Sequence, residues 1–400
     1  MKLLANRVSQ VKPPMTRAMT SLGNEMARAG RSIMSLAQGE PDFDTPEHVR
    51  EAGKAAIDAG KTRYTDIPGS RELTAAIIRK FERDNGLTFQ PNEVTIGVGS
   101  KQVLYNALQA TVDPGDEVLI AVPAWVSYME MVRMADGVPV TLPATSATGF
   151  KITPAQLEAA VTPRSRWLML NSPSNPSGAE YSAAELRAIG EVLLRHPQVW
   201  MMSDDIYEKI RYTDGPFPTM AKVMPELASR CLTINGISKA FAMTGWRCGY
   251  AAGPAELIRG MNLVQGTSVS HTSSVTQAAA IAALDGPMDF LTPFVAAYRR
   301  RRDLVVAAMR AIEGVQCTVP DGAFYVFPNC EGLLGKRTPK GKPIATDLDL
   351  CMYFLEEAGV AVVPGSAFEL PGHFRISYAA ADATLVEGMK RLEAACAALR

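Results

Sequence analysis

The chain has 400 residues, enough for a large core and for two lobes rather than one. Lysine and arginine number 41, matching 41 aspartates and glutamates, so no basic excess points to nucleic acid. Six scattered cysteines without a Cys-x-x-Cys pair, four isolated histidines and no bilayer-length apolar run argue against disulfides, a metal site and a membrane span.

The first seven residues are too short and polar for a secretion signal, so a soluble, reduced, cytoplasmic chain is expected. A helix is predicted over 100–110. Apolar runs at 117–122, 167–171, 199–203 and 231–235 read as strands, with a helix at 183–194 among them. That alternation implies an α/β fold with a largely parallel sheet covered on both faces. Later the pattern changes. A long helix over 288–312, strands at 322–327 and 360–365, and a closing helix at 385–399 imply a second, smaller α+β lobe. The basic run Arg299-Arg300-Arg301-Arg302 reads as a solvated helical face, with internal pairing of one arginine left open. Residues 336–342 read as an exposed loop.

The segment with the most chemical content is Asn235-Gly236-Ile237-Ser238-Lys239-Ala240-Phe241-Ala242-Met243-Thr244-Gly245-Trp246-Arg247-Cys248-Gly249-Tyr250. Small neighbours leave Lys239 open to a bulky planar group, and eight positions later Arg247 offers a planar fork suited to phosphate. A lysine that forms a Schiff base beside a phosphate anchor is the chemistry of pyridoxal 5′-phosphate (PLP). A surface lysine near a structural arginine is the plainer alternative. Upstream, Gly99, Ser100 and Lys101 open a predicted helix, where backbone N–H groups and the helix dipole favour an anion. Asn175, Asp204 and Lys239 each fall just after a predicted strand, where ligands collect in open α/β sheets.

The lysine segment resembles the signature of class I PLP-dependent aminotransferases, the aspartate aminotransferase group of fold type I, with Cys248 in place of the usual aliphatic residue. The resemblance runs from Pro13 to the last predicted helix. It implies a PLP-dependent transferase of fold type I, with a mostly parallel sheet of the seven-stranded type in a large domain near 46–295. A small α+β domain would combine 1–45 with 296–400, and a homodimer would share its active sites. Partners would be an L-amino acid and a 2-oxo acid.

The resemblance also assigns residues. Lys239 would hold PLP and shuttle a proton. Asp204, in Ser203-Asp204-Asp205-Ile206-Tyr207-Glu208, would face the pyridine nitrogen, with Asp205 standing where the family more often has Glu. Tyr207 and Asn175 would bond the cofactor's phenolic oxygen; Asn175 lies in Asn171-Ser172-Pro173-Ser174-Asn175-Pro176-Ser177-Gly178, where Ser177 replaces Thr. Gly99, Ser100, Lys101, Ser238, Arg247 and, from a second subunit, Tyr64 would serve the phosphate. Trp125 would stack on the ring and border the substrate. Arg375, on the apolar run His373-Phe374-Arg375-Ile376-Ser377-Tyr378-Ala379, would pair with the α-carboxylate, since a buried arginine needs an anion. Gly39, in Ala37-Gln38-Gly39-Glu40-Pro41-Asp42-Phe43, would donate its N–H to the same group.

Specificity is read from fewer positions. Lys101 and Thr16 occupy places that recognise a second carboxylate in the prokaryotic aspartate aminotransferases and prephenate in the aspartate/prephenate enzymes. Pro14 replaces a serine there, and Met15 and Arg17 also depart from the pattern. Arg17 is expected to face solvent, with an inward charge as the alternative. A dicarboxylic amino acid such as aspartate or glutamate is favoured. Aromatic or prephenate transamination, or a PLP C–S lyase on the same scaffold, remain the other readings. A PLP-binding regulator is disfavoured, since no DNA-binding extension is expected before Pro13.

Overall fold

Aliphatic and β-branched runs build the centre of the molecule, in a computed structural model that describes residues 3–13 and 15–400. In chain order the strands are β1 (Met34–Ser35), β2 (Val94–Gly97), β3 (Glu117–Val122), β4 (Val138–Pro143), β5 (Ser165–Asn171) and β6 (Trp200–Asp204). Then follow β7 (Cys231–Gly236), β8 (Gly249–Ala252), β9 (Tyr325–Val326), β10 (Val360–Ala361), β11 (Val363–Pro364) and β12 (Phe374–Ser377).

Seven strands form one sheet in the order β2-β8-β7-β6-β5-β3-β4. Only β8 runs against its neighbours; the other pairings are parallel. The inner strands are buried along nearly their whole length, as unalternating apolar runs require. At the edge, β4 is mostly open and carries Pro139 and Pro143, which have no N–H to offer another strand. Helices cover both faces. Ser100–Thr111 and Ala255–Ser268 pack apolar stripes on one side, and Ala183–Arg195 packs its stripe on the other. The last begins with a reciprocal Ser182–Glu185 cap. Among the described residues, no helix is long and apolar enough to cross a membrane.

Because β5, β6 and β7 are parallel, their carboxyl ends share one edge. Asn171 and Asp204 end two of these strands, and Lys239 follows the third. The remaining strands are short. β11, β12 and β9 make an antiparallel sheet, while β1 pairs in parallel with β10 and so fastens the N-terminal segment to the late part of the chain.

Several elements differ from the sequence reading. The run at 322–327 yields strand only at Tyr325 and Val326, because Ala323 takes a left-handed φ of 56° and Gly322 bridges to Arg211 instead. The run at 360–365 splits at Val362, sending two residues to β1 and two to β12. The basic run is not a uniformly solvated face. Arg301 is buried and ion-paired to Asp42 at 2.9 Å and Asp382 at 2.7 Å, while Arg300 stays exposed on Asp382.

At Gly249, β8 lies close against the start of the Ser100–Thr111 helix. A Cβ at Gly249 would lie 2.1 Å from the Ser100 backbone nitrogen. Gly249→Ala should therefore destabilise the chain by about 1–3 kcal/mol through overpacking. Urea unfolding measures this, and a variant as stable as the parent would mean that the helix terminus moves aside freely.

Candidate active site

One cleft of about 480 Å³ opens at the carboxyl ends of the parallel strands. Thr16, Gly39, Ser100, Lys101, Trp125, Asn175, Asp204, Tyr207, Ser238, Lys239, Arg247 and Arg375 all line it. Gly99 lies behind Arg247, whose Nη2 would be 2.5 Å from any Cβ placed there. Tyr64 stands apart: it does not line this cleft, is 91 % exposed, and touches His271 edge-on at 5.6 Å.

Lys239 follows β7 and reaches across the cleft, donating from Nζ to the Gly39 carbonyl at 2.7 Å. Burial, and after it the Arg375 charge, lower its pKa to about 8. Facing it, Asp204 ends β6. Burial raises its pKa to about 6, against the pull of a 2.6 Å hydrogen bond from the Tyr128 hydroxyl to Oδ2. Its neighbour Asp205 does not line the cleft; it accepts from the Ser203 hydroxyl at 2.7 Å and the Thr219 hydroxyl at 2.6 Å. The first acid of the pair is thus the one that meets the cleft.

The Ser100–Thr111 helix starts at Gly99, with φ 83°, and no side chain caps it. Its first N–H groups and the positive end of its dipole meet the cleft beside Arg247. The Ser100 hydroxyl instead donates to the Asn235 carbonyl at 2.9 Å, tying the helix start to β7. Arg247 is left-handed at φ 57°, and its guanidinium donates to the carbonyls of Thr244 at 2.9 Å and Val98 at 3.3 Å. Ser238 completes this end.

Arg375, on β12, is 2 % exposed. Its guanidinium donates to Asn175 Oδ1 at 2.9 Å and to the Ala37 carbonyl at 2.5 Å, and its Nε has no partner. It lies over the Tyr325 ring, 4.6 Å from the centroid. Tyr325 in turn meets the Tyr207 hydroxyl at 2.9 Å. Asn175 is fixed by its own N–H, which donates to Asn171 Oδ1 at 2.8 Å.

The outer part of the cleft carries more positive charge. Lys101 Nζ sits over the Trp125 ring, 4.7 Å from its centroid. Its pKa is lowered by burial first and by the nearby Arg17 and Arg247 charges after that. Arg17 is exposed, as expected, and also lines the cleft near Lys101, where the Met15–Arg28 helix lies. Gln38 also lines it and donates to Glu40 Oε2 at 3.0 Å; Glu40 in turn accepts from the Thr244 hydroxyl. Pro14 lies outside the described residues.

Sequence reasoning missed Tyr128, Tyr325 and Asn171 as parts of the site. Asn171 stood inside a segment already singled out. The two tyrosines gave no local signal, since their partners Asp204 and Tyr207 lie 76 and 118 residues away.

A model of aminotransferases of class I and II matches residues 31–392. The aspartate/prephenate aminotransferase of Cereibacter sphaeroides is 53 % identical over 399 residues, covering 100 % of both chains. Among solved structures, the aspartate aminotransferase of Rhizobium meliloti superposes with a TM-score of 0.97 at 51 % identity, covering 100 % of both chains. That of Thermus thermophilus, solved with maleate, gives 0.92 at 40 % identity over 99 % of this chain and 100 % of its own. The chain therefore belongs to the class I and II aminotransferases, enzymes of fold type I.

Proposed function

We propose that this aminotransferase uses PLP to move an amino group between aspartate or glutamate and a 2-oxo acid, in two alternating half-reactions. The carrying observation is the charge of the cleft. Among the described residues, Arg17, Lys101, Lys239, Arg247 and Arg375 line it against only Glu40 and Asp204. A phosphate, an α-carboxylate and a second carboxylate are the anions that such a surface requires.

Two features fit the cofactor: the uncapped helix start and the Gly99 position, where a Cβ would crowd Arg247. In this reading the phosphate is held by the backbone of Ser100 and Lys101, by Ser238 and by Arg247. Trp125 would stack on the ring, Asp204 would face the pyridine nitrogen, and Asn175 and Tyr207 would serve the phenolic oxygen. Bound PLP supplies the electron sink for the pair released when the Cα–H bond of the amino acid breaks.

The chain's own groups do the rest. Arg375, aligned by Asn175, binds the α-carboxylate, aided by the Gly39 N–H. Lys239 Nζ takes the Cα proton, which requires the neutral amine; a pKa near 8 makes that form far more abundant at neutral pH than in a free lysine. Asp204 would keep a proton on the pyridine nitrogen, and the Tyr128 hydrogen bond lowers the Asp204 pKa and so favours its ionised form. Lys101, Thr16 and Arg17 receive the second carboxylate. Maleate, with which the Thermus thermophilus enzyme was solved, is a four-carbon dicarboxylate and supports this size of substrate.

A homodimer in the cytoplasm completes the proposal, with Tyr64 reaching the second copy's phosphate. Residues 46–295 form the PLP-binding domain, and 1–45 with 296–400 form the small domain, a division supported by the β1–β10 pairing. The relative named for both substrates favours a second reading, in which prephenate, also a dicarboxylate, is an acceptor.

Holoenzyme given aspartate alone should release one equivalent of oxaloacetate per site and then stop until a 2-oxo acid is added. Continuous turnover without acceptor would instead fit a lyase. Lys239→Ala should abolish the half-reaction; wild-type turnover in that variant would overturn the assignment.

Lys101→Ala should weaken aspartate and glutamate selectively. A charge-assisted bond contributes roughly 1.5–3 kcal/mol, so kcat/KM should fall roughly ten- to a hundredfold for them and little for leucine. An equal fall for leucine would remove the second-carboxylate role.

Tyr128→Phe removes a donor that lowers the Asp204 pKa. Asp204 should then need a higher pH to ionise, so the acid limb of the pH–rate profile should move upward and kcat should fall about tenfold. An unmoved acid limb would mean that Tyr128 only packs.

A further inference from the structure

The turn after β6 has two sides. Asp204 and Tyr207 line the cleft, while Asp205 and Glu208, each one residue further on, are buried and do not line it. Glu208 forms an ion pair with Lys80 in which the side chains of Lys80 and Glu208 are 3 % and 4 % exposed. Asn85 closes a triangle, accepting from Lys80 Nζ at 2.7 Å and donating to Glu208 Oε2 at 2.8 Å. The backbone supports this arrangement. Lys80 ends the Arg71–Lys80 helix, and Phe81–Asn85 widens into one π-helical turn before Gly86 ends it with φ 61°. That wider turn aligns residues five apart, the spacing of Lys80 and Asn85, which an ordinary α-helix would rotate away from each other.

Burying two opposite charges is a weak device for stability, because well-packed apolar residues usually serve as well or better. It is a strong device for fixing geometry, since both charges lose their compensation if either moves. The Glu208 N–H also donates to the Asp205 carbonyl at 2.9 Å, so the anchor and the cleft-facing residues belong to one hydrogen-bonded turn.

We propose that Glu208, clamped by Lys80 and Asn85, is a positioning residue that holds Asp204 and Tyr207 in register with the cofactor ring. This rests on the PLP reading given above. Nothing in the clamp touches the cleft, so it acts only through the turn.

The test compares purified holoenzymes. Lys80→Met with Glu208→Leu removes both charges and leaves none stranded. The double variant should lose about ten- to a hundredfold in kcat with a nearly unchanged KM, as misplacement of a catalytic group does. It should also bind PLP more weakly and shift the pH midpoint of the bound cofactor's absorbance band. Glu208→Gln sets an amide N–H against one of the two donors, Lys80 or Asn85, and leaves the Lys80 charge unpaired, so its kcat should fall in the same direction. A double variant with wild-type kcat, PLP affinity and midpoint overturns the proposal, and so does one whose sole change is a lower Tm. If the double variant does not fold, Asn85→Ala decides on the same three readouts: movement supports the clamp and no movement overturns it. A wild-type chain that takes up no PLP overturns the functional reading and this inference with it. A working wild type beside an indistinguishable variant overturns this inference alone.

Discussion

The guanidinium of Arg375 is almost completely removed from water, and no carboxylate pairs with it among the described residues. A carbonyl, an amide oxygen and the faces of Tyr325 and Phe368 surround it. These neighbours fix its plane without cancelling its charge. The same charge acts on Lys239, where it adds to burial in lowering the pKa. A buried, unbalanced cation at Arg375 and a lowered lysine pKa nearby are thus connected, with the lysine's own burial the larger cause.

Asp204 and Asp205 illustrate how neighbours assign roles to chemically identical groups. Burial raises the pKa of both, to about 6 and about 7. Asp205 is enclosed by two hydroxyl donors and the strand ends, which makes it a structural acid. Asp204 has one phenolic donor and an open side toward the cleft. The strand alternation that ends at β6 turns one carboxylate toward the cleft and the next away from it.

Much of this was legible in the chain itself where the chemistry is local. Lys239 and Arg247 sit within one segment, and the parallel sheet follows from buried runs that need no partner to be recognised. Contacts between distant segments were not legible: Tyr128 reads as one more aromatic of a helix until β6 is placed beside it. Arg17 meets solvent as expected, but its place at the cleft was not legible, for a related reason. A polar residue near the start of a chain normally meets solvent, but its helix lies along the cleft opening, and that depends on tertiary docking. The short strands β10 and β11 were merged because a one-residue break between two apolar pairs leaves no trace in hydropathy.

The bonds that assemble the cleft span long stretches of chain. Arg375 to Ala37 bridges 338 residues, while Arg375 to Asn175 and Lys239 to Gly39 each bridge 200. Contacts of this separation form late, because the entropy of closing the loops comes before their reward. A growing chain makes the sheet's strands and Lys239 well before it makes Arg375, and early segments fold first during synthesis. The lysine amine is therefore present on the nascent chain before the guanidinium that tunes it. Until the last strand docks, that amine lacks part of the burial and charge that lower its pKa, so its final pKa belongs to the finished fold alone.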